Sequence, residues 1–159
     1  MTDRDDQLQA LLDREAIRDL PLRYCDCVWR DDIDGIVKLF AKDGEFSMGH
    51  QGTESGAKGH SALRKFYRQG LKIGPRPFIH NHVITLDGAG RASGRCYLDL
   101  HSANHNMQFI GAGHYADAYV KVKGEWKFLR RQFTAVRFDE QPPAPLPKPR
   151  RASTPKLGR

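Results

Sequence analysis

The stretch that decides the fold runs from residue 81 to residue 138. It contains three segments, which read NHVITLDG (81–88), ASGRCYLDLH (92–101) and NMQFIGAGHYADAYVKVKGEWKFLRRQFTAVRF (106–138). All three are rich in β-branched and aromatic residues, and breaks at Asp87-Gly88 and Lys123-Gly124 interrupt them. Runs of this kind joined by short glycine-containing breaks are typical of antiparallel strands connected by hairpins. The C-terminal half of the chain is therefore predicted to form a meander of at least three long strands.

The residues before this stretch show helical periodicity. Between Gln7 and Trp29, apolar side chains recur three and four residues apart, which predicts an amphipathic helix that Pro21 kinks or divides. The other predicted elements are a helix over Ile33–Ala41, a strand over Glu45–Met48, a polar glycine-rich loop over Gly49–Gly59 and a helix over Ser61–Leu71. Helices followed by a run of strands indicate an α+β fold with segregated elements.

Length and composition exclude several classes of protein. A chain of 159 residues suits one domain that buries its own core. No apolar run reaches the roughly 18 to 20 residues of a membrane span, and the charged first residues do not resemble a signal peptide. Three cysteines, Cys25, Cys27 and Cys96, are too few and of the wrong parity for a disulfide framework. We therefore expect a cytoplasmic protein with no membrane partner.

The last twenty residues differ in composition from the rest. Residues 140–159 hold six of the nine prolines and five of the 26 basic residues, and they lack a periodic apolar face. We expect residues 1–139 to form the domain and residues 140–159 to form an extended or disordered tail, or an arm that contacts a neighbouring subunit. The net charge of +7 comes mainly from this tail, which has no aromatic residue for base stacking. No nucleic-acid partner is predicted.

A series of short motifs runs along residues 8–138. In chain order the motifs are REAIRDL (14–20), Tyr24, DDIDG (31–35), LFA (39–41), Asp43-Gly44, GHYAD (113–117), GEWKF (124–128) and Arg131. Taken in this order, the motifs resemble the SnoaL-like branch of the nuclear transport factor 2-like superfamily. The resemblance implies a cone, in which a curved antiparallel or mixed sheet and three N-terminal helices enclose a pocket. It also implies a small cyclic organic ligand, no cofactor, and a homo-oligomer that is a dimer or a trimer.

Dehydratases and dehydrochlorinases of this family share a histidine base that an aspartate orients. Counted from Tyr24, the aspartate position of this pair is Trp29, and counted back from the strand that begins at Asn81, the histidine position is Pro77. Both members of the pair are therefore replaced. Asp26 does not substitute for the aspartate, because it lies about 200° around the helix from Tyr24 and is predicted to face outward.

His80 is the predicted replacement for the missing base. If Pro77 faces the pocket, period-two alternation directs Asn81 inward and both His80 and His82 outward. A bulge next to Pro77 reverses this for His80, and bulges are common beside active sites. The spacing of the two histidines also permits a metal site, but two histidines alone do not make one, so no metal is predicted.

The resemblance implies a mainly apolar pocket lining. The helix contributes Tyr24 and Trp29, and the sheet contributes Cys96, Leu98, Leu100, Tyr115 and Arg131. Such a lining suits a flat or cyclic molecule with an oxygen or carboxylate that Arg131 holds. In the alternative interpretation both tyrosines are core residues, and Arg131 forms a salt bridge with Asp117 or Asp99.

Two classes of function follow from this pocket. The first is a cofactor-independent lyase (a dehydratase) or isomerase that acts on a cyclic, aromatic, polyketide or steroid-like metabolite, with Tyr24 as the acid and His80 as the base. A tyrosine and an arginine in one apolar pocket favour this class. The second is a non-catalytic ligand-binding protein or an oxygenase-associated subunit of the same fold, which the two replaced positions favour.

Overall fold

The computed structural model describes residues 3–50 and 52–139, so the predicted tail lies outside the described residues. The helices are α1 (Asp3–Trp29), α2 (Ile33–Lys38) and α3 (His60–Gly70). The strands are β1 (Phe40–His50), β2 (Thr53–Lys58), β3 (Pro75–Gly88), β4 (Arg91–Ser102), β5 (Gln108–Val122) and β6 (Glu125–Phe138). Short 3-10 turns at Leu71–Ile73 and Ala103–His105 precede β3 and β5. Across the described ranges, no helix is both long and apolar enough to cross a membrane.

The six strands form one mixed sheet in the order β2-β1-β6-β5-β4-β3. Strands β3 to β6 are the predicted antiparallel meander, and β1 joins it parallel to β6. A two-residue turn at Lys123-Gly124 connects β5 to β6, with φ angles of 50° and 85°. Positive φ at both residues is the geometry of a type I′ hairpin turn. The order of helices and strands confirms the predicted α+β fold class.

Both predicted helices near the N-terminus are present, with boundaries that differ by a few residues. The first is a single element from Asp3 to Trp29, so of the two effects predicted for Pro21, a kink or a division, the division does not occur. The second helix ends at Lys38, because Phe40 is already paired with Phe128 of β6 and is buried there. Tertiary pairing has overridden the helical spacing of the local sequence.

The predicted loop over Gly49–Gly59 contains the edge strand β2. This strand pairs only with β1 in the described sheet, and most of its residues are exposed, so it carries no alternating apolar pattern. Gly56 allows the close pairing, since a Cβ at this position would lie 2.4 Å from the carbonyl oxygen of Phe46. An exposed strand of this kind has no signal in hydrophobic periodicity.

Helix α1 packs across one face of the sheet, which we call the inner face, and contacts both β3 and β6. The side of α1 that faces the sheet buries Ile17, Leu20, Tyr24, Cys27 and Val28 at three- and four-residue spacing. From the sheet, alternate residues of β4 are buried, namely Cys96, Leu98 and Leu100. The core of the molecule therefore lies between α1 and the inner face.

A bulge in β3 changes which of its side chains point inward. Ile79 is opposite Leu98 and His82 is opposite Cys96, so β3 has one more residue than β4 over this interval. An extra residue inverts the facing of every side chain that follows it. His82 consequently lies on the inner face together with Ile79.

A second bulge does the same in β6. Phe128 is opposite Tyr119 and Arg130 is opposite Ala118, so β6 carries the extra residue here. The bulge brings Arg131 to the inner face, where its side chain is fully buried. Both titratable side chains that enter the interior from β3 and β6 therefore follow a bulge.

Candidate functional site

A cavity of about 120 Å³ lies between the helices and the inner face of the sheet. Three tyrosines line it, namely Tyr24 of α1, Tyr67 of α3 and Tyr115 of β5. Apolar side chains supply most of the remaining wall, among them Val28, Phe46, Met48, Leu100, Ile110 and Phe133. Among the residues that the structure describes, no carboxylate, imidazole, thiol or amine lines this cavity.

The three tyrosines form one cluster. The Tyr24 hydroxyl donates to the Tyr67 hydroxyl at 3.2 Å, and the Tyr24 ring meets the Tyr115 ring edge-on with centroids 5.9 Å apart. Burial raises the pKa of Tyr24 to about 12 and also raises the pKa of Tyr67 and of Tyr115. All three phenols are therefore protonated near neutral pH. The Tyr67 and Tyr115 hydroxyls can donate to a ligand oxygen, whereas the Tyr24 hydroxyl donates to Tyr67 and can accept from a ligand hydroxyl.

The cavity volume limits what can enter. An apolar protein cavity of roughly 150 Å³ holds one benzene molecule, whereas drug-sized ligands occupy sites of about 300 to 1,000 Å³. A volume of about 120 Å³ therefore matches a single six-membered ring. A fused polycyclic molecule such as a steroid does not fit into the cavity alone.

Arg131 lies behind the tyrosines rather than in the cavity lining. Its guanidinium carbon is 3.6 Å from the ring centroid of Tyr115 and 4.4 Å from that of Tyr24. Its Nε atom is 3.7 Å from Oδ1 of Asp117, and its Nη2 atom donates to the Cys96 sulfur at 3.7 Å. Of the two interpretations made from the sequence, the structure shows the ion pair with Asp117.

The ion pair continues into a chain of hydrogen bonds. The Tyr119 hydroxyl donates to Oδ2 of Asp117 at 3.0 Å and lies 3.0 Å from Nε2 of His82, which we infer to be the donor. We call His82, Tyr119, Asp117 and Arg131 the charged network. Within the described residues, Nδ1 of His82, Oδ1 of Asp117, and Nε and Nη1 of Arg131 have no hydrogen-bond partner.

Burial sets the protonation states in the charged network. It raises the pKa of Asp117 to about 6, although Arg131 and the Tyr119 hydroxyl both favour the carboxylate. Burial also lowers the pKa of His82 to about 4, so its imidazole is neutral near pH 7. For Arg131, burial alone would lower the pKa, but the attraction of Asp117 and of the surrounding groups raises it, and the guanidinium stays charged.

Trp29 and Pro77, which occupy the two positions of the family's acid–base pair, contact each other. The indole Nε1 of Trp29 donates to the carbonyl oxygen of Pro77 at 2.9 Å. Trp29 is 38% exposed and packs edge-on against Phe78, whereas Pro77 lines the cavity. Because an indole only donates and a carbonyl only accepts, this contact joins the end of α1 to β3 and transfers no proton near neutral pH.

His80 and Asn81 lie away from the cavity. His80 is on the outer face, where its Nε2 is 3.0 Å from Oδ2 of Asp99 and its side chain is 50% exposed. Asn81 is exposed in the bulge. A bulge beside Pro77 would have turned His80 inward, but the bulge lies between Ile79 and His82, so it directs His82 inward and leaves His80 outside.

The other predicted residues divide into two groups. Tyr24, Tyr115 and Leu100 line the cavity. Cys96 and Leu98 are buried outside its lining, with Cys96 against Arg131. As for a metal, no group of three or more ligating side chains occurs within residues 3–50 and 52–139.

Three residues of the interior were missed in the sequence, namely Tyr67, His82 and Tyr119. Tyr67 follows Leu63 by four residues, so the helical spacing already placed both on one face of α3. His82 is in period-two phase with Ile84 and Leu86, and this phase conflicts with that of Ile79. Such a conflict within one strand is the sequence signal of a bulge.

Comparison with known proteins supports the family and the fold. The SnoaL-like domain family matches residues 9–132. No curated protein matches the chain in sequence. The chain also resembles solved structures of the nuclear transport factor 2-like fold. The sequence identities are low, so this likeness shows the fold alone.

Three of these structures illustrate the range of relatives. A hexachlorocyclohexane dehydrochlorinase from Novosphingobium barchaimii is 19% identical with a TM-score of 0.73, and the match covers 88% of this chain and 96% of that one. A candidate scytalone dehydratase from Novosphingobium aromaticivorans is 24% identical with a TM-score of 0.71, covering 89% and 96%. The β subunit of a candidate aromatic-ring-hydroxylating dioxygenase from the same species is 19% identical with a TM-score of 0.68, covering 86% and 95%.

A dehydrochlorinase, a candidate dehydratase and a candidate dioxygenase subunit therefore share this fold. The family match spans more than three quarters of the chain, and the arrangement of helices and sheet agrees with it. As its motifs predicted, this chain belongs to the SnoaL-like domain family.

Proposed function

We propose that this chain binds a single small ring compound in the tyrosine-lined cavity and holds one oxygen of that compound without converting it. The observation that carries the proposal is the composition of the lining, which offers three protonated phenols and, within the described residues, no base. The apolar wall supplies most of the binding free energy, and the phenols orient the ligand through its oxygen.

The placement of titratable groups argues against proton abstraction. Elimination of water or HCl requires a base within hydrogen-bond reach of the proton that is removed. The positions that supply this base and its partner in related enzymes carry Pro77 and Trp29, which are bonded to each other. His82 is the imidazole on the inner face, and it is bonded to Tyr119 in the charged network rather than placed in the cavity lining.

A role as an oxygenase-associated subunit has a parallel among the solved structures. One of them is the β subunit of a candidate aromatic-ring-hydroxylating dioxygenase. A ligand-binding or oxygenase-associated subunit is therefore the form of the proposal that agrees best with the lining of this cavity.

Calorimetry with two matched probes tests the proposal. Phenol and benzene share a ring, but only phenol carries an oxygen. We expect phenol to bind more tightly, and we expect Tyr24→Phe to weaken phenol binding by about three- to tenfold while leaving benzene binding unchanged, as for the loss of one hydrogen bond. Tyr97→Phe is the matched control, because Tyr97 is 43% exposed on the opposite face of β4.

Two results would contradict this proposal. One is equal binding of both probes to the wild type and to Tyr24→Phe. The other is disappearance of a bound cyclic alcohol over time, which NMR of the ligand would detect.

A cofactor-independent lyase or isomerase is the second candidate, and one observation favours it. The Tyr24 hydroxyl lies in the cavity lining and is protonated, and a protonated group is required to assist the departure of a hydroxyl group from a substrate. This candidate predicts turnover of a cyclic alcohol to an alkene and water. That turnover would be lost in Tyr24→Phe and retained in Tyr97→Phe.

A further inference from the structure

A groove of about 450 Å³ adjoins the tyrosine-lined cavity. It lies where the turns at 71–73 and 103–105 meet the ends of β5 and β6. The groove and the cavity share three wall residues, which are Ile73, Ile110 and Phe138. Ile73 is 54% exposed although it is apolar, which places it at the boundary between the two spaces and solvent. A ligand longer than one ring can therefore extend from the cavity into the groove.

The groove carries the polar side chains that the cavity lacks. Its polar wall consists of Lys72, Ser102, Asn104, His105 and Asp139. The Ser102 side chain is buried, and its Oγ is 2.9 Å from Nδ1 of His105. Asn104 donates from Nδ2 to the carbonyl oxygen of Lys72 at 2.9 Å, so it joins the two turns that form the groove. These contacts fix the polar groups in place before a ligand arrives.

The charges around the groove favour an anion. The ammonium group of Lys72 donates to the neutral amide of Gln69 at 2.9 Å, so its contact does not neutralise its charge. Asp139 is the carboxylate in the wall, and the guanidinium of Arg137 offsets its charge at 3.2 and 3.3 Å. The Ser102 hydroxyl donates to the carbonyl oxygen of Ile73 at 3.3 Å, so it accepts from Nδ1–H of His105, and Nε2 donates to a ligand only in the imidazolium form. The groove thus offers an ammonium group and, in the imidazolium form of His105, a second donor to a negatively charged group.

We infer that the ligand is a ring compound with an anionic side arm, whose ring occupies the cavity and whose anionic group lies in the groove beside Lys72 and His105. The inference rests on the proposed function, because it assigns the ring to the same cavity. The volumes support it, since the cavity alone holds one ring, whereas the cavity and groove together reach the usual size of a small-molecule site.

The experiment compares two probes that differ at one position. In 3-(4-hydroxyphenyl)propanoate a carboxylate replaces the terminal methyl group of 4-propylphenol. We expect the acid to bind about tenfold more tightly than 4-propylphenol by calorimetry at low salt, which is the effect of one charge-assisted hydrogen bond. Added salt should reduce this preference, because the groove is open to solvent.

The variants assign the preference to the groove. Lys72→Met should remove most of the preference for the acid without changing the affinity for 4-propylphenol, and His105→Gln should reduce it by a smaller factor. Lys65→Met is the matched control, because Lys65 is exposed on α3 and does not line the groove. It should keep the full preference.

The possible results separate the two proposals. If 4-propylphenol binds but the acid has no advantage, or if Lys72→Met and Lys65→Met act alike, the inference about the side arm is wrong and the proposed cavity function stands. If neither probe binds and Tyr24→Phe has no effect on phenol, the cavity function itself is wrong.

Discussion

The interior has two parts, the tyrosine-lined cavity and the charged network, and strand β5 contributes side chains to both. Strand β5 places Tyr115 and Tyr119 on one face, four residues apart. Tyr115 borders the open cavity, where no charged side chain of the described residues enters the lining. Tyr119 belongs to the charged network, where Asp117 and Arg131 are packed with no exposed side-chain surface. The cavity therefore lies beside neutral side chains, whereas the charged side chains of the interior are closely packed.

This difference follows from the cost of burying ions. A buried carboxylate or guanidinium is tolerated when a partner is close and the surroundings are packed around both. Phenols lose less free energy on burial, so they can line an apolar cavity. A ligand in the cavity accordingly meets neutral donors, while Arg131 acts on it only through the rings of Tyr24 and Tyr115.

The largest expected effect is the loss of the buried cation. Arg131→Met should lower the free energy of unfolding by about 3 to 5 kcal/mol, because it leaves Asp117 buried without its ionic partner. Adding Asp117→Asn to this variant should restore part of the loss, since the remaining side chain is then neutral. Urea denaturation measures both. A loss below about 1 kcal/mol in Arg131→Met would show that Asp117 does not depend on Arg131 for its burial.

The charged network should also give two opposite pH dependences. The pKa of Asp117 is raised by folding, so its contribution to stability is present below pH 4 and is lost as the pH rises through about 6, by up to about 3 kcal/mol. The pKa of His82 is lowered by folding, so its contribution is present above pH 6.5 and is lost as the pH falls towards about 4.

Single variants isolate each of these contributions. The stability of the wild type minus that of Asp117→Asn should fall between pH 4 and pH 6, and the corresponding difference for His82→Gln should rise over the same interval. Urea midpoints at several pH values give both slopes. Slopes of the same sign would contradict the protonation states assigned to the network.

The phenol cluster should contribute less to stability than the charged network. Tyr24→Phe and Tyr67→Phe should each cost about 1 kcal/mol, and the double variant should cost little more than either one, because both remove the same hydrogen bond. Urea denaturation of the four proteins gives the coupling free energy. If the two losses simply add, the two hydroxyls do not act as a pair.

The smallest effect is expected for the contact that replaces the family's acid–base pair. Trp29→Phe keeps the aromatic packing on Phe78 but removes the donor to the Pro77 carbonyl oxygen, which should cost about 0.5 to 1 kcal/mol. The affinity for phenol should not change. A large loss of phenol binding with unchanged stability would show instead that the cavity depends on this contact.

The sequence predicted the meander and the first helix because their signals are local. Alternation in β4, the Lys123-Gly124 turn and the spacing of Ile17, Leu20 and Tyr24 each depend on residues a few positions apart. The edge strand β2 could not be predicted in the same way, since its residues are exposed and its pairing with β1 leaves no apolar pattern.

Part of the candidate site was predicted from the sequence, and the rest was missed because it depends on a bulge and on a buried ion pair. Tyr24, Tyr115 and Leu100 were placed in the cavity by alignment with the family, and the structure brings them together there. The alternation rule placed His82 outside because it assumes a regular strand, and one extra residue in β3 invalidates that assumption. Arg131 was expected to face a ligand, but its attraction to Asp117 holds it behind the tyrosine rings.

The position of the β3 bulge has a consequence for how such interiors diversify. In the described sheet, β3 has a neighbour on one side only, so it can gain or lose a residue without displacing a second strand. If the extra residue lay after His82 instead of before it, Asn81 would point inward and His82 would point towards solvent, while every turn and helix kept its length. A shift of one bulge along an edge strand is thus enough to exchange a titratable side chain of the interior while the other walls stay as they were.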